Sequence, residues 1–396
     1  MLRVLSVHNR YTQRGGEDEC REAECAMLRS GGHEVFEYTR DNTEIDLQAT
    51  HKIAFRTLWS SNDYENLRRL IRREHVDLVH VHNFLPLISP SVFYAAQHEG
   101  VPVVHTLHNY RLTCPGSRLL RDGKICEDCL GKTVPWPGVL HGCYRGSRTA
   151  TAGVAGMITT HRLLGTWTNK VNAYLVVSDF MRRKIAAAGI PSEKIFLKPN
   201  FAPDRGAGDG HGGYALFVGR IEPEKGIATL LSAWEQLGSK VPLKIVGSGP
   251  LEALVTSKAT ALPSIEFLRF LPLEEVLRLM GDALALVVPS QWYEGAPRVI
   301  VEALSRGTPV IASALGGMAE MVEHEHTGIL FPSGDAAALA RSVLRLHEDP
   351  QFGSRLRMNA RQKFLAEFTE ERNYELLTAI YSRLTSARVA RGGYAL

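Results

Sequence analysis

Short apolar segments of strand length alternate with longer amphipathic segments in both halves of the chain, and no other feature narrows the fold so far. A strand buried on both faces reads as a near-continuous apolar run, and a parallel neighbour can only be reached through a crossover of helical length. The alternation therefore predicts an α/β protein whose parallel sheets carry helices on both faces, a doubly wound pattern. In the first half the spacing predicts strands at 2–8, 34–38, 76–81, 102–106, 173–178 and 194–198, with helices including 17–30, 62–74 and 179–188. A second set follows: strand 214–219, helix 225–237, strand 243–246, helix 250–258, strand 265–269, helix 273–281, strand 284–288, helix 297–306 and strand 308–312. Residues 350–387 read as helical throughout.

At 396 residues the chain is too long for one core, so two domains are expected, 1–200 and 201–396. The glycine-rich run 199–213 cannot hold a packed element and is taken as the hinge between them. Residues 110–150 break the pattern, being rich in Gly, Pro and Cys, and a loop of that length is usually functional or stapled.

Charge and composition exclude several classes. The 44% apolar and 22% charged fractions are those of an ordinary globular protein. Net charge is +4, with 26 Lys and Arg against 20 Asp and Glu in residues 1–200, and 20 against 22 in 201–396. Without an arginine-rich arm this falls short of a nucleic-acid-binding signature; an anionic membrane surface is the better partner for the basic half. No apolar run reaches the length of about 20 residues that crosses a bilayer. Residues 2–8 read as a strand rather than as part of a signal peptide, so the expected location is cytoplasmic, or peripheral on the inner face of the cell membrane.

The densest chemical signal is Pro289-Ser290-Gln291-Trp292-Tyr293-Glu294-Gly295-Ala296-Pro297-Arg298-Val299-Ile300-Val301-Glu302, a strand-turn-helix unit after the apolar run Leu284–Val288. Ligands of open α/β sheets bind beyond the carboxyl ends of strands, and a helix starting there aims free N–H groups at an anion such as a diphosphate. Glu294 and Glu302 lie about two turns apart, so they can address separate parts of one extended ligand; a capping Glu294 and a solvated Glu302 are the plainer alternative. Upstream, Gly219-Arg220-Ile221-Glu222-Pro223-Glu224-Lys225-Gly226 sets two cations in one short turn. Val246-Gly247-Ser248-Gly249-Pro250 is a further strand-to-helix turn that permits close backbone approach.

Together with Gly307-Thr308-Pro309-Val310 and Gly316-Gly317, these motifs resemble, in order and spacing, family four of the retaining glycosyltransferases with the GT-B fold. That resemblance covers nearly the whole chain. It implies two Rossmann-like domains facing across a cleft, the first on the acceptor side and the second binding a nucleotide-diphosphate sugar, UDP- or GDP-linked. It also implies transfer to a saccharide or lipid-linked acceptor in envelope polysaccharide biosynthesis. By the same resemblance Arg220 and Lys225 neutralise the donor diphosphate, Glu294 contacts the transferred sugar and Glu302 holds the ribose. N–H groups near Gly295, Ala296, Arg298 and Val299 assist, Gly249 lines the donor site, and the base rests near Phe270 and Leu271. Pro297 has no N–H to offer. Gly15-Gly16 looks like the family's glycine loop, and His108 matches its active-site histidine, followed by Asn109 where aspartate is frequent.

His80 and His82, at the end of a predicted strand, read as structural or acceptor-side residues, and His105 as a packing residue. The Arg68, Arg69, Arg72 and Arg73 cluster reads as a solvated helix face. The chain contains no Asp-x-Asp, so no metal is expected in catalysis, with Arg220 and Lys225 taking its place. Both are expected to point into an open cleft, so that replacing either leaves folding intact. Charge stabilisation of the departing phosphate would then carry the retaining reaction. The competing enzyme class is a nucleotide-sugar epimerase of the same fold, and the non-enzymatic one is a sugar-nucleotide-binding protein. Cys114, Cys126, Cys129 and Cys143 contain a Cys-x2-Cys core suited to a structural zinc, with free buried thiols as the alternative.

Overall fold

The computed structural model describes residues 1–12, 15–47 and 50–392. The chain divides into two compact units: Met1–Leu119, Cys126–Lys198 and the chain from Tyr374 onward in the first, and Leu120–Ile125 with Pro199–Asn373 in the second. The break after Lys198 falls two residues before the expected cut at 200, and the last stretch of chain groups with the first unit rather than the second. The helical region after Pro350 is two helices, Pro350–Glu367 and Glu370–Gly392.

The first unit carries β1 (Arg3–Arg10), β2 (Glu34–Asp41), β3 (Leu78–Asn83) and β4 (Val103–Leu107). A two-residue antiparallel pair, β5 (Leu120–Arg121) and β6 (Lys124–Ile125), interrupts the series. β7 (Ala173–Val176) and β8 (Ile195–Leu197) then complete a parallel sheet in the order β2-β1-β3-β4-β7-β8. Every residue of β3, β4 and β7 is buried, as expected of strands covered on both faces. That burial puts His80, His82 and His105 inside the protein, beside apolar neighbours on β3 and β4. Between β1 and β3 the register slips, Val7 facing Val81 and His8 facing Asn83. The slip falls at the carboxyl ends, where chain order across the sheet reverses.

The second unit carries β9 (Ala215–Val218), β10 (Leu243–Val246), β11 (Ile265–Arg269), β12 (Ala285–Val288), β13 (Val310–Ser313) and β14 (Gly328–Phe331). Their order is β11-β10-β9-β12-β13-β14, the dinucleotide-fold arrangement with its switch point between β9 and β12. Two apolar layers cover the sheet. One packs the helices Ile227–Leu237 and Ala336–Glu348 around Trp234 and Phe331. The other packs Leu273–Asp282, Arg298–Ser305 and Pro350–Glu367 around Met280 and Phe364.

Residues 199–213 hold no helix or strand, as their composition requires, yet they are not a free tether. Gly208 N–H donates to Arg306 O (2.9 Å), Gly210 to Gly281 O (3.1 Å) and Gly212 to Asp282 O (2.9 Å). A Cβ on Gly208 would lie 2.2 Å from Gly281 Cα, so glycine is what allows this strap to lie flat on the second unit.

Candidate functional site

In the second unit the two turns that leave β9 and β12 meet at the switch point. Gly226, at φ +74°, closes the short 3-10 turn Pro223–Lys225, and a Cβ there would fall 1.9 Å from Pro289 O. Only glycine lets the first turn rest on the second. Gln291 N–H then donates to Glu224 O (2.8 Å), locking the two together. The result brings Lys225 Nζ to 2.7 Å from Glu294 Oε1. Ser290 Oγ and Trp292 Nε1 donate to the same oxygen, each at 2.9 Å. Lys225 also lies 5.9 Å from the Trp292 ring centroid, within cation–π range. One carboxylate oxygen thus takes three donors, while Oε2 has no partner among the described residues. Glu294 is buried, and it is no cap: it is an oriented acceptor with one oxygen left over.

The paired glycines 316 and 317 hold that carboxylate's backbone. A Cβ on Gly317 would lie 1.8 Å from Gly295 O, and Gly317 N–H donates to Glu294 O (2.9 Å). Just beyond, the helix Arg298–Ser305 begins after Pro297. The backbone N–H groups of Ala296 and Val299 have no partner among the described residues, which leaves them free for an anion. Glu302 is buried rather than solvated; Arg298 Nη2 lies 3.6 Å from its Oε1, one turn earlier on the same helix.

Arg220 and Lys225 differ in setting. Arg220 is half exposed and pairs with Glu222 (3.0 Å), whereas the Lys225 side chain is 20% exposed and pinned on Glu294. The expectation that both cations stand free in an open cleft therefore fails for Lys225. Gly249, at φ +157°, packs against the backbone of Ile221, and its N–H goes to Glu252 Oε1 (2.9 Å). Its glycine character serves the approach of protein backbone to itself. Leu271 is half-buried and Phe270 is 75% exposed at the carboxyl end of edge strand β11, a flat apolar face open to stacking.

The first unit has its own cluster at the carboxyl ends of β1, β3 and β4. Gly15 caps the helix Gly16–Ser30 with extended backbone, and its N–H donates to Asp18 Oδ2 (3.0 Å). Asp18 Oδ1 in turn lies 2.8 Å from His8 Nε2. Burial works against the Asp18 charge, but these partners outweigh it and hold the carboxyl below its usual range. Asn109 Nδ2 donates to Glu17 Oε1 (2.7 Å), which tethers the chain just after β4 to the start of that helix.

Deeper in, Glu24 faces β3. Its Oε1 lies 2.9 Å from His80 Nδ1 and 3.4 Å from His82 Nε2, and its Oε2 lies 2.9 Å from Lys198 Nζ. Burial opposes the Glu24 charge, yet Lys198 and His80 hold its carboxyl well below the usual range. His80 also meets Tyr381 Oη (2.6 Å) and Thr106 Oγ1 (2.7 Å). The Glu24, His80 and His82 ligand atoms all lie within 4.8 Å of one another, a spacing that can grip a cation. Lys198 already supplies the positive charge there and both His80 nitrogens are occupied, so the cluster reads as an internal ion pair whose Glu24 Oε1 has close histidine neighbours but no hydrogen bond among the described residues. Nothing in the sequence marked Glu24; the signal was a carboxylate on the inward stripe of the helix, one position before buried Cys25.

His108 follows β4 and is partly exposed. Burial of its ring pushes its pKa down to about 4, so it is neutral at neutral pH. His105 packs among Phe84, Phe93 and Tyr174, and burial lowers it to about 3.

The four cysteines belong to the first unit, Cys114 on one side of the 120–125 segment and Cys126, Cys129 and Cys143 on the other. Burial pushes the Cys129 thiol up to about 11, with smaller contributions from Cys114, Cys143 and Cys126 around it. No three of these sulfurs lie within 4.8 Å of one another, so the side chains stand near each other without forming a closed cage. The arginine cluster is largely neutralised: Arg68 and Arg72 share Glu99 (2.7 and 2.6 Å), and Arg73 pairs with Glu74 (2.6 Å). Among the described residues no helix is long and apolar enough to cross a membrane.

Residues 206–363 match the family model for glycosyl transferases group 1, and residues 24–203 match that for glycosyltransferase family 4. The amylovoran biosynthesis glycosyltransferase AmsK of Erwinia amylovora is 31% identical over 227 residues, 53% of this chain and 56% of that protein. The phosphatidyl-myo-inositol mannosyltransferase of Mycobacterium leprae is 32% identical over 46% of this chain and 52% of its own length. These matches span only about half of each relative. Among solved structures, sucrose-phosphate synthase of Thermosynechococcus elongatus superposes with a TM-score of 0.72 at 20% identity, covering 98% of this chain and 100% of that one. The Anabaena protein HepE in complex with UDP gives 0.68 at 17% identity, over 96% and 100%. At such identities the likeness establishes the fold, which is GT-B.

Proposed function

The chain belongs to the group 1 glycosyltransferases, and from that premise we propose that it transfers a sugar from a nucleoside-diphosphate donor to a saccharide or lipid-linked acceptor in polysaccharide biosynthesis. The observation that carries this reading is the convergence of Lys225, Ser290 and Trp292 on Glu294 Oε1 at the switch point of the second sheet. A carboxylate held by three donors on one oxygen presents the other to sugar hydroxyls. The N–H groups of Ala296 and Val299 and the Arg220 and Lys225 charges suit the diphosphate, and exposed Phe270 suits the base. Glu302, near-buried on the same helix, suits the ribose hydroxyls.

In mechanism, cations and N–H donors fixed before reaction stabilise charge developing on the leaving diphosphate. Transfer with retention, which the family resemblance implies, and without a catalytic metal, for which the Arg220 and Lys225 charges would stand in, is part of the proposal. HepE's complexes with UDP and UDP-glucose make a uridine donor the first to try. The lipid-linked acceptor and membrane docking are supported by the basic surplus of residues 1–200, although Glu99 and Glu74 absorb much of the Arg68–Arg73 charge. A structural zinc on Cys114, Cys126, Cys129 and Cys143 is proposed for the 110–150 insertion, supported by its Cys-x2-Cys spacing and by the three thiols around Cys129. The ion would have to draw the sulfurs together.

The test is a panel of UDP- and GDP-sugars, scored first for binding and then for product with and without an acceptor. Transfer with the donor's anomeric configuration kept is expected. An epimerised donor formed without acceptor, or binding without any turnover, would overturn the proposal.

A further inference from the structure

His82 and His108 lie nearly edge to edge. His82 Nδ1 is 3.3 Å from His108 Nε2, with ring planes 17° apart and centroids 5.6 Å apart. A face-to-face stack would bring the centroids much closer; this spacing is that of two imidazoles joined nitrogen to nitrogen. At its far side His82 Nε2 lies 3.4 Å from Glu24 Oε1, an electrostatic contact rather than a hydrogen bond, and Lys198 anchors the other Glu24 oxygen at 2.9 Å. The row therefore runs Lys198, Glu24, His82, His108, from the interior to the carboxyl end of β4.

We propose that Glu24 and His82 are positioning residues that fix His108 as the tautomer protonated on Nε2, so that its bare Nδ1 meets substrate as a hydrogen-bond acceptor. A neutral imidazole carries one N–H and one lone pair. Burial keeps both His82 and His108 neutral at neutral pH, far below the ordinary histidine range. The single proton of His82 belongs on Nε2, because a lone pair aimed at the Glu24 carboxylate would be repelled by it. That leaves His82 Nδ1 as an acceptor, so the proton between the rings sits on His108 Nε2. His108 Nδ1 is then the lone-pair nitrogen, and it has no partner among the described residues. The inverse arrangement, with His82 Nδ1 donating, sets the His82 Nε2 lone pair against the Glu24 Oε1 lone pairs. The ligand chemistry is a hydroxyl that donates a hydrogen bond; in the glycosyl-transfer reading, on which only this last step rests, it is a hydroxyl of the donor sugar or of the acceptor.

The arrangement makes Glu24 act through His82, as a buried carboxylate orients an imidazole in other enzymes. It also explains why a buried ion pair sits beside a site to which it contributes no direct contact.

The experiment is nitrogen-15 NMR of the histidine-labelled full chain at pH 7, without any substrate. A neutral His108 with Nε2 protonated and Nδ1 bare is expected in the wild type. A His108 protonated on Nδ1, or doubly protonated, overturns the proposal with no mutant needed. His82→Leu should abolish the single tautomer and lower transfer by about 10- to 100-fold, the usual cost of losing an orienting partner. His82→Asn, whose amide oxygen stands where Nδ1 was, should restore both. Loss of transfer in His82→Leu with the His108 tautomer unchanged, or no rescue by asparagine in a folded protein, also overturns it. Because the tautomer is read on the protein alone, failure of every sugar donor would sink the functional proposal and leave this one standing. The substrate whose affinity weakens in His82→Leu, donor or acceptor, identifies the hydroxyl.

Discussion

Lys225 and Arg220 come from one short turn, yet their surroundings predict different costs for removing them. Arg220 pairs with Glu222 at 3.0 Å with half its side chain in water, and exposed pairs of that kind contribute at most about 1 kcal/mol. Lys225 donates at 2.7 Å to a Glu294 side chain that is only 8% exposed, and hydrogen bonds to charged groups contribute roughly 1.5–3 kcal/mol. Lys225→Ala leaves Glu294 with two neutral donors, Ser290 and Trp292, on an oxygen that has lost its counter-charge. For a unit of this size the loss amounts to roughly 4–10 °C in melting temperature, against about 3 °C or less for Arg220→Ala. Activity should fall for both, on the order of 10²–10³-fold, as for removal of one oxyanion donor. If the charges act on the departing phosphate, kcat falls more than donor affinity. The assay pairs thermal melts with steady-state kinetics in a nucleoside-diphosphate release format. A Lys225→Ala protein as stable as wild type, or an Arg220→Ala protein that melts as low as Lys225→Ala, would refute the asymmetry. Full activity in Lys225→Ala would refute the catalytic role.

Three further outcomes are expected. Metal analysis of purified protein should find one zinc per chain, lost in a Cys126→Ser, Cys129→Ser variant, while transfer by the wild type survives brief chelation; four titratable thiols and no zinc exclude the site. The unfolded state binds protons on histidines that the folded state keeps neutral, so stability should fall as pH drops from about 6.5 toward the depressed values near 4 for His108 and 3 for His105. His105→Phe, in its ring of Phe84, Phe93 and Tyr174, should lose about 2–3 kcal/mol less than wild type between pH 7 and 4.5 in urea melts; equal losses would mean His105 is protonated in the fold. Flotation with anionic vesicles at low salt should carry the protein and release it as salt rises, and no flotation at any ionic strength would leave a water-borne acceptor.

The sequence by itself determined the alternation of strands and helices, because a strand covered on both faces must be apolar end to end and a crossover must be long enough to return. β3, β9 and β12 are legible for that reason, and so is the turn bearing Glu294, since Gly226, Gly316 and Gly317 stand where any side chain would strike backbone. Short local rules of this kind survive without knowledge of partners. They did not reach the terminal helix, whose Tyr381 bonds His80 across 301 residues of chain, because a helix end carries no mark of where it will dock. They gave residues 199–213 correctly as lacking helix and strand, but not how that strap is fastened, because the Gly208 contact with Gly281 lies 73 residues away along the chain. Nor did they single out Glu24, which on a helix with charged neighbours looks like any solvated carboxylate. Only tertiary structure places it beside Lys198 and His82, since the burial that depresses a histidine and the ion pair that keeps a carboxylate charged both depend on what lies a few ångströms away in space, and the order of residues along the chain does not record that distance.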